Sequence, residues 1–387
     1  MIFTEVRFAL FVIGCWVSML LVPARGRPAV LAAWGIAFYA VYAGAFLPLV
    51  AVLVILTFAM VRGRGDLALV VLVVLLLAAF KLGPAVTRLL LPSVTPDQPA
   101  ALLIPLGFSF LAFEMLHLVF ECRLGRIHDV SFVDLAAFAF FFPCRIAGPI
   151  KRYPAFMESV STSRISVEQM YVGALRVVVG LFKKIVLADF LGLTAAEASY
   201  ASSPAHVWKV MIAYSLQILL DFSAYSDIAI GISRMLGITV PENFNWPYLS
   251  TNIQEFWNRW HMTLSGWARD YVFTPSGREL FRTRLRSSPA AIAALSYLAT
   301  FLVIGAWHGL SPNYLVWGAY HAVLLTAYYM YRTRVPAAVA MSPLFQSRIA
   351  DVAGAGLTFV LVTIGWVPFM TDLPHSVRLL HLMFGGH

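Results

Sequence analysis

Long apolar runs, separated by short polar breaks, occupy most of the chain. They cover roughly 7–23, 29–43, 45–61, 66–82, 101–121, 131–143, 171–191, 207–235, 290–307, 313–330 and 352–370. Continuous apolar runs of about 18 residues or more are long enough to cross a bilayer as helices. A membrane β-barrel would show short segments of alternating polarity instead. The pattern therefore predicts an all-α polytopic integral membrane protein with roughly 10–11 transmembrane helices. Run 131–143 is short for a span and reads as re-entrant or partly embedded. The first run, preceded by Arg7 and followed by Arg25 and Arg27 rather than a small-x-small site, reads as an uncleaved helix and not a signal peptide.

Two stretches break this pattern. Residues 240–288 are too polar to span and too aromatic for a plain loop, with Trp246, Trp257, Trp260 and Trp267 suited to the headgroup zone. They predict interfacial and re-entrant helices. In 144–170, Gly148-Pro149 forbids a continuous helix. Lys151 and Arg152 place that stretch near headgroups or an anionic ligand.

Composition strengthens the membrane reading. Hydrophobic residues make up 60% of the 387, charged residues 12%, and mean hydropathy is +0.80. Soluble domains carry about a quarter charged residues. The net charge of +9 reads as Lys and Arg at helix ends, not as a nucleic-acid footprint. By the positive-inside rule Arg25/Arg27, Arg62/Arg64 and Arg123/Arg126 lie on the cytoplasmic side. Cys15, Cys122 and Cys144 are scattered and form neither a metal cluster nor a disulfide framework. With no linker, low-complexity tract or internal repeat in view, residues 1–387 read as a single membrane-embedded domain.

A few polar residues sit where lipid makes them expensive. Asp221 and Asp227 interrupt the run 207–235, and an ionised carboxylate at mid-bilayer costs about 3 kcal/mol on insertion scales. Asp227 and Arg234 are spaced to share a helix face. A structural polar network is the favoured reading for these carboxylates, with a tunnel lining as the alternative. His308 ends one apolar run beside Gly309, His321 lies inside the next, and His261 sits in the stretch FWNRWHMTLS. Residue type alone leaves each histidine open to a plain hydrogen-bonded role in the core.

The longer context of these residues is more specific. The stretch LDFSAYSDIAIGISRMLGITVPENFNWPYLSTNIQEFWNRWHMTLSGWARDYVFTP (220–275) resembles the signature of the bacterial MBOAT (membrane-bound O-acyltransferase) family. The branch it is most similar to holds the alginate O-acetylation and teichoic-acid D-alanylation membrane proteins. PCRIAGPIKRYPAF (143–156) resembles that branch's Gly-Pro-Ile loop. GAWHGLSPNYLVWGAYH (305–321) resembles its Trp-His-Gly motif with a downstream histidine, and IPLGFSFLAFE (104–114) a further, weaker segment. The resemblance covers about 101–330, a motif core; 1–100 match only as apolar helices, and 331–387 form a C-terminal helix and tail.

The resemblance implies a helical fold around a central tunnel in the bacterial inner membrane. It implies catalytic roles for His308 and His261, and a less defined one for His321. Asp227, Asn243, Arg259 and Trp307 are candidates for the substrate path. It implies no bound cofactor and no metal, but a cytoplasmic thioester donor, acyl-CoA or an acyl carrier protein. It also implies an extracytoplasmic acyltransferase as probable partner. Lys151, Arg152 and Arg278, with Arg282, Arg284 and Arg286, are candidate contacts for an anionic donor. The chemistry fits: a neutral imidazole accepts a hydroxyl proton at neutral pH. Other designs are absent: Gly-x-Ser-x-Gly, His-x4-Asp, His-Glu-x-x-His and the P-loop. The favoured activity is acetyl transfer toward an extracytoplasmic polysaccharide. D-alanyl transfer to teichoic-type polymers is the alternative, and a transporter the remote one, since no inverted repeat is visible.

Overall fold

The computed structural model describes residues 2–63, 71–76, 79, 106–336, 342–343 and 347–386, and no β-strand occurs among them. The expected run 66–82 and the start of 101–121 lie largely outside the described residues. The other runs emerge as helices because a spanning segment must satisfy its own backbone hydrogen bonds. In chain order these are α1 (Val6–Leu21), α2 (Arg27–Ala43), α3 (Leu47–Arg62), α4 (Phe108–Arg123) and α5 (Phe132–Phe140). Next come α6 (Tyr153–Ser161), α7 (Val167–Phe182), α8 (Asp189–Ala195) and α9 (Pro204–Met235). The chain continues with α10 (Ile253–Arg259), α11 (Met262–Ala268), α12 (Thr274–Phe281), α13 (Pro289–His308) and α14 (Pro312–Arg334). It closes with α15 (Arg348–Gly365), α16 (Val367–Met370) and α17 (Leu373–Met383).

By length and composition, four described helical stretches can cross a membrane: Ala24–Arg62, Pro204–Met235, Pro289–His308 and Arg348–Met370. A 3-10 turn at Gly44–Phe46 divides the first into α2 and α3. The short run 131–143 gives the nine-residue α5, capped by Ser131, whose hydroxyl accepts from Asp134 N. Nine residues rise only about 14 Å, too little to span.

The residues form two compact units, Met1–Leu181 with Ala224–Pro241 and Phe182–Ser223 with Glu242–His387. In the first unit the Gly-Pro-Ile loop folds onto α4. Arg145 Nη2 and Lys151 Nζ donate to the two carboxylate oxygens of Glu114, at 2.6 and 2.5 Å. The Lys151 ammonium also faces the rings of Phe138, Phe141 and Phe156. This corrects the expectation of a donor-side contact: Lys151 is 1% exposed and already neutralised. Asp227 pairs with Arg176 of α7, at 3.0 Å, because α7 packs along the second half of α9.

In the second unit α13 and α14 form an antiparallel pair joined by three residues, Gly309 to Ser311. Pro312 opens α14, where its missing N–H costs nothing. The helices approach so closely that a Cβ on Gly318 would collide with the Phe301 carbonyl oxygen. The polar stretch 240–288 forms the short helices α10, α11 and α12, as its composition predicts. Of its four tryptophans only Trp246 is exposed. Trp257, Trp260 and Trp267 are buried; α10 packs against α14 and α15, and Trp257 and Trp260 meet Trp317 and Trp366 instead of facing headgroups.

Candidate active site

The second unit holds His261, His308, His321, Trp307, Asn243, Arg259 and Arg278. Asp227, Lys151 and Arg152 belong to the first unit, where Arg152 Nη1 lies 3.3 Å from His117 Nδ1. Arg278 is exposed on α12.

His308 is the last residue of α13, where the helix breaks into extended Gly309. Its ring is half-buried, at 4.5 Å from Trp307 and 4.7 Å from Phe369 (centroid distances), and 5.4 Å from Trp317, which it meets edge-on. It thus combines an ordered setting with an open side.

His261 lies between α10 and α11 and is 2% exposed. Its backbone is left-handed, φ 41°, a conformation costing about 1–3 kcal/mol in a non-glycine residue. The surrounding structure imposes it. Asn245 N donates to Arg259 O, Met262 N to Asn243 O, and the Thr263 hydroxyl to Asn243 Oδ1, each at 2.9 Å. Phe222 packs edge-on against the imidazole at 4.6 Å, and Phe244 lies parallel to it at 6.4 Å. Burial pushes its pKa down to about 3, so the ring is neutral at physiological pH.

Trp307 joins the two imidazoles. Its ring lies 6.2 Å from His261 and 4.5 Å from His308. The two imidazole centroids are therefore at most about 11 Å apart, although the residues are 47 positions apart in sequence. His321 stands one layer away. Trp317 lies 5.1 Å from it and 5.4 Å from His308, which separates the two histidines by an indole. His321 is fully buried against Trp257, Trp317 and Tyr320, and neither ring nitrogen has a hydrogen-bond partner among the described residues. Arg259 is held by Glu255 at 2.6 Å, one helical turn back.

A cavity of about 340 Å³ lies between α10–α11 and α13, lined by Trp257, Asn258, Arg269, Tyr297, Thr300 and Ile304 among others. On α13 the positions Tyr297, Thr300, Ile304 and His308 recur at three- and four-residue spacing, which places them on one face. The aromatic walls, Trp317, Phe222 and Phe244, were not singled out by sequence. Nothing in their local context separates them from ordinary core aromatics.

The family model for MBOAT, the membrane-bound O-acyltransferase family, matches residues 102–365. The probable alginate O-acetylase AlgI of Pseudomonas syringae pv. tomato is 34% identical over 286 residues, 73% of this chain and 52% of that protein. The teichoic acid D-alanyltransferase of Bacillus subtilis is 35% identical over 245 residues, 60% of this chain and 61% of that protein. The peptidoglycan O-acetyltransferase of Helicobacter pylori is 32% identical over 266 residues, 66% of this chain and 47% of that protein. This chain belongs to the membrane-bound O-acyltransferase family, and it is a membrane-bound, multi-helix protein. It spans about half the length of the alginate O-acetylases it matches.

Proposed function

We propose that this chain is an O-acyltransferase of the bacterial inner membrane. It passes an acyl group, acetyl in the favoured reading, from a cytoplasmic thioester to an extracytoplasmic polysaccharide or to an acceptor enzyme acting on one. The observation that carries the reading is the arrangement of two imidazoles around Trp307, one buried and neutral, one open. Relatives named for O-acetyl transfer to alginate and to peptidoglycan support the acetyl group.

The reaction joins an acceptor hydroxyl to a thioester carbonyl and releases a thiol. His308, at the open end of α13, removes the hydroxyl proton as the oxygen attacks, and returns it to the sulfur as the C–S bond breaks. His261 presents a neutral imidazole on the far side of the indole. The enclosure by aromatic rings keeps water away from the thioester. Acyl-CoA or an acylated carrier protein supplies the donor, and no cofactor is needed. The donor's arm approaches along the cavity beside Tyr297, Thr300 and Ile304, from the end of α13 where Arg278, Arg282, Arg284 and Arg286 are exposed.

The test is acyl transfer by purified protein in liposomes, with acetyl-CoA, an acetylated carrier protein and a D-alanylated carrier protein as parallel donors. Acetyl transfer that is lost in both H308A and H261A supports the reading. Transfer of D-alanine alone establishes the second reading, which the Bacillus subtilis relative favours. Transfer unaffected by both substitutions would sink the site assignment.

A further inference from the structure

His261 occupies the N-cap position of α11, yet its side chain makes no capping hydrogen bond. An ordinary N-cap residue turns its side chain back to accept from the N–H two or three residues on. A histidine doing so would have its ring committed to the helix end. Here the left-handed backbone at φ 41° turns His261 away from that task.

The cap comes from elsewhere in the chain. Asn243 is 0% exposed and stands beside the first turn of α11. Its backbone oxygen accepts from Met262 N at 2.9 Å. Its side-chain Oδ1 accepts from the Thr263 hydroxyl at 2.9 Å and approaches Thr263 N at 3.4 Å. Two of the helix end's orphan donors are thus directed to one residue twenty positions upstream. The next residue, Phe244, lies parallel to the imidazole, and the one after, Asn245, bonds back to Arg259. Residues 243–245 therefore grip both sides of the left-handed turn.

We propose that Asn243 is the positioning residue for His261, a helix cap supplied from outside the helix that takes the place of the imidazole at the helix end and leaves it facing Trp307. This deepens the acyl-transfer reading and rests on it for its kinetic consequence. Thr263 is the second half of the device, since its hydroxyl is the donor Asn243 holds.

The experiment uses the full chain in liposomes with N243A, T263V, T263S and the N243A/T263V pair. A misplaced catalytic group costs up to about 100-fold in rate. N243A is expected to lower kcat about 10- to 100-fold with the donor KM little changed. T263V falls part of the way, T263S matches wild type, and the pair is no worse than N243A alone. A second readout needs no turnover: carbethoxylation of histidines by diethyl pyrocarbonate, mapped by mass spectrometry. His261 is expected to become reactive in N243A and to stay protected in wild type and T263S, while buried His321 stays protected throughout. Kcat above half of wild type in N243A with His261 still protected overturns the proposal. So does equal exposure of His321, which would mark general loosening. A wild-type chain inactive with every donor defeats the acyl-transfer reading and leaves the carbethoxylation result to decide the positioning.

Discussion

Lys151 Nζ lies 2.5 Å from Glu114 Oε1, and both side chains are 1% exposed. With Arg145 on the other carboxylate oxygen, two cations share one anion inside the first unit. Breaking a buried pair by removing one partner costs about 3–5 kcal/mol, because it strands the other charge. Glu114→Gln strands two. Glu114→Gln is therefore expected to lose most of its folded protein in detergent, followed by fluorescence-detected size exclusion. A triple apolar replacement, E114M/R145M/K151M, is expected to be better tolerated, since replacing a buried ionic group with apolar residues of like volume is often neutral.

The Arg176–Asp227 pair is less buried, with side chains 24% and 13% exposed. Solvent screening lowers its worth. Asp227→Asn is expected to destabilise by about 1–2 kcal/mol, between the exposed and buried cases. Adding Arg176→Gln should recover part of the loss. The measurement is thermal unfolding of the purified single and double variants. A collapse of acyl transfer at unchanged stability would instead give Asp227 a role at the reaction.

His308→Ala is expected to abolish acyl transfer at nearly normal folded yield. Loss of general-base help is worth about 10²–10⁴ in rate. His321→Ala is expected to behave in the opposite way. Its ring fills an aromatic box and makes no hydrogen bond among the described residues, so its loss leaves a cavity, and large-to-small changes of this kind cost about 2–5 kcal/mol. Activity per folded molecule and unfolding temperature, measured on both variants, separate the two. More than a tenth of wild-type activity in His308→Ala would make that histidine structural.

The contrast between these residues shows what sequence can carry. The helices were legible because lipid demands apolar segments that satisfy their own backbone, and the described runs are helical, although 131–143 is too short to span and 171–191 is divided between α7 and α8. His261 and His308 were legible because each sits in an extended motif. Asn243 was only one polar candidate among several, and its grip on Thr263 depends on bringing 243 and 263 side by side. Lys151 read as an interfacial cation because nothing near it in sequence announces Glu114, 37 residues upstream. Asp227 shares a helix face with Arg234 in sequence, while tertiary packing brings it Arg176 from another helix. Side-chain partners depend on long-range packing, which apolar periodicity does not encode.

His261 lies outside the spanning helices, and burial pushes its pKa from 6.5 down to about 3. The unfolded chain therefore binds a proton that the folded chain refuses between about pH 6.5 and pH 3. Stability from the neutral ring is fully present above that window and erodes as pH falls through it, by up to about 1.4 kcal/mol per pH unit. His261→Gln is expected to flatten that acid dependence in unfolding curves taken from pH 7 to pH 4. The same reasoning assigns no acid limb of a pH–rate profile between pH 5 and 8 to His261. A limb in that range that vanishes in His261→Gln alone would contradict the burial seen here.

Arg278, Arg282, Arg284 and Arg286 are exposed around the start of α13, and Arg282 pairs with Glu279 at 2.6 Å. His308 is at the other end of the same helix, and twenty residues rise about 30 Å. If the arginine end is the donor's entrance, its charges act on encounter and not on the chemical step. They attract the phosphates of CoA or the acidic surface of a carrier protein from a distance, and salt screens such attraction beyond about 8–10 Å. Reversing Arg278 and Arg286 to Glu is therefore expected to raise the donor KM with kcat unchanged. The effect should be several-fold larger at about 0.01 M salt than at 0.15 M, where the Debye length falls from about 30 to 8 Å. Donor titrations at the two ionic strengths, with acetyl-CoA and with a carrier protein, make the comparison. A change in kcat, or a KM shift indifferent to salt, would place the donor's entrance elsewhere.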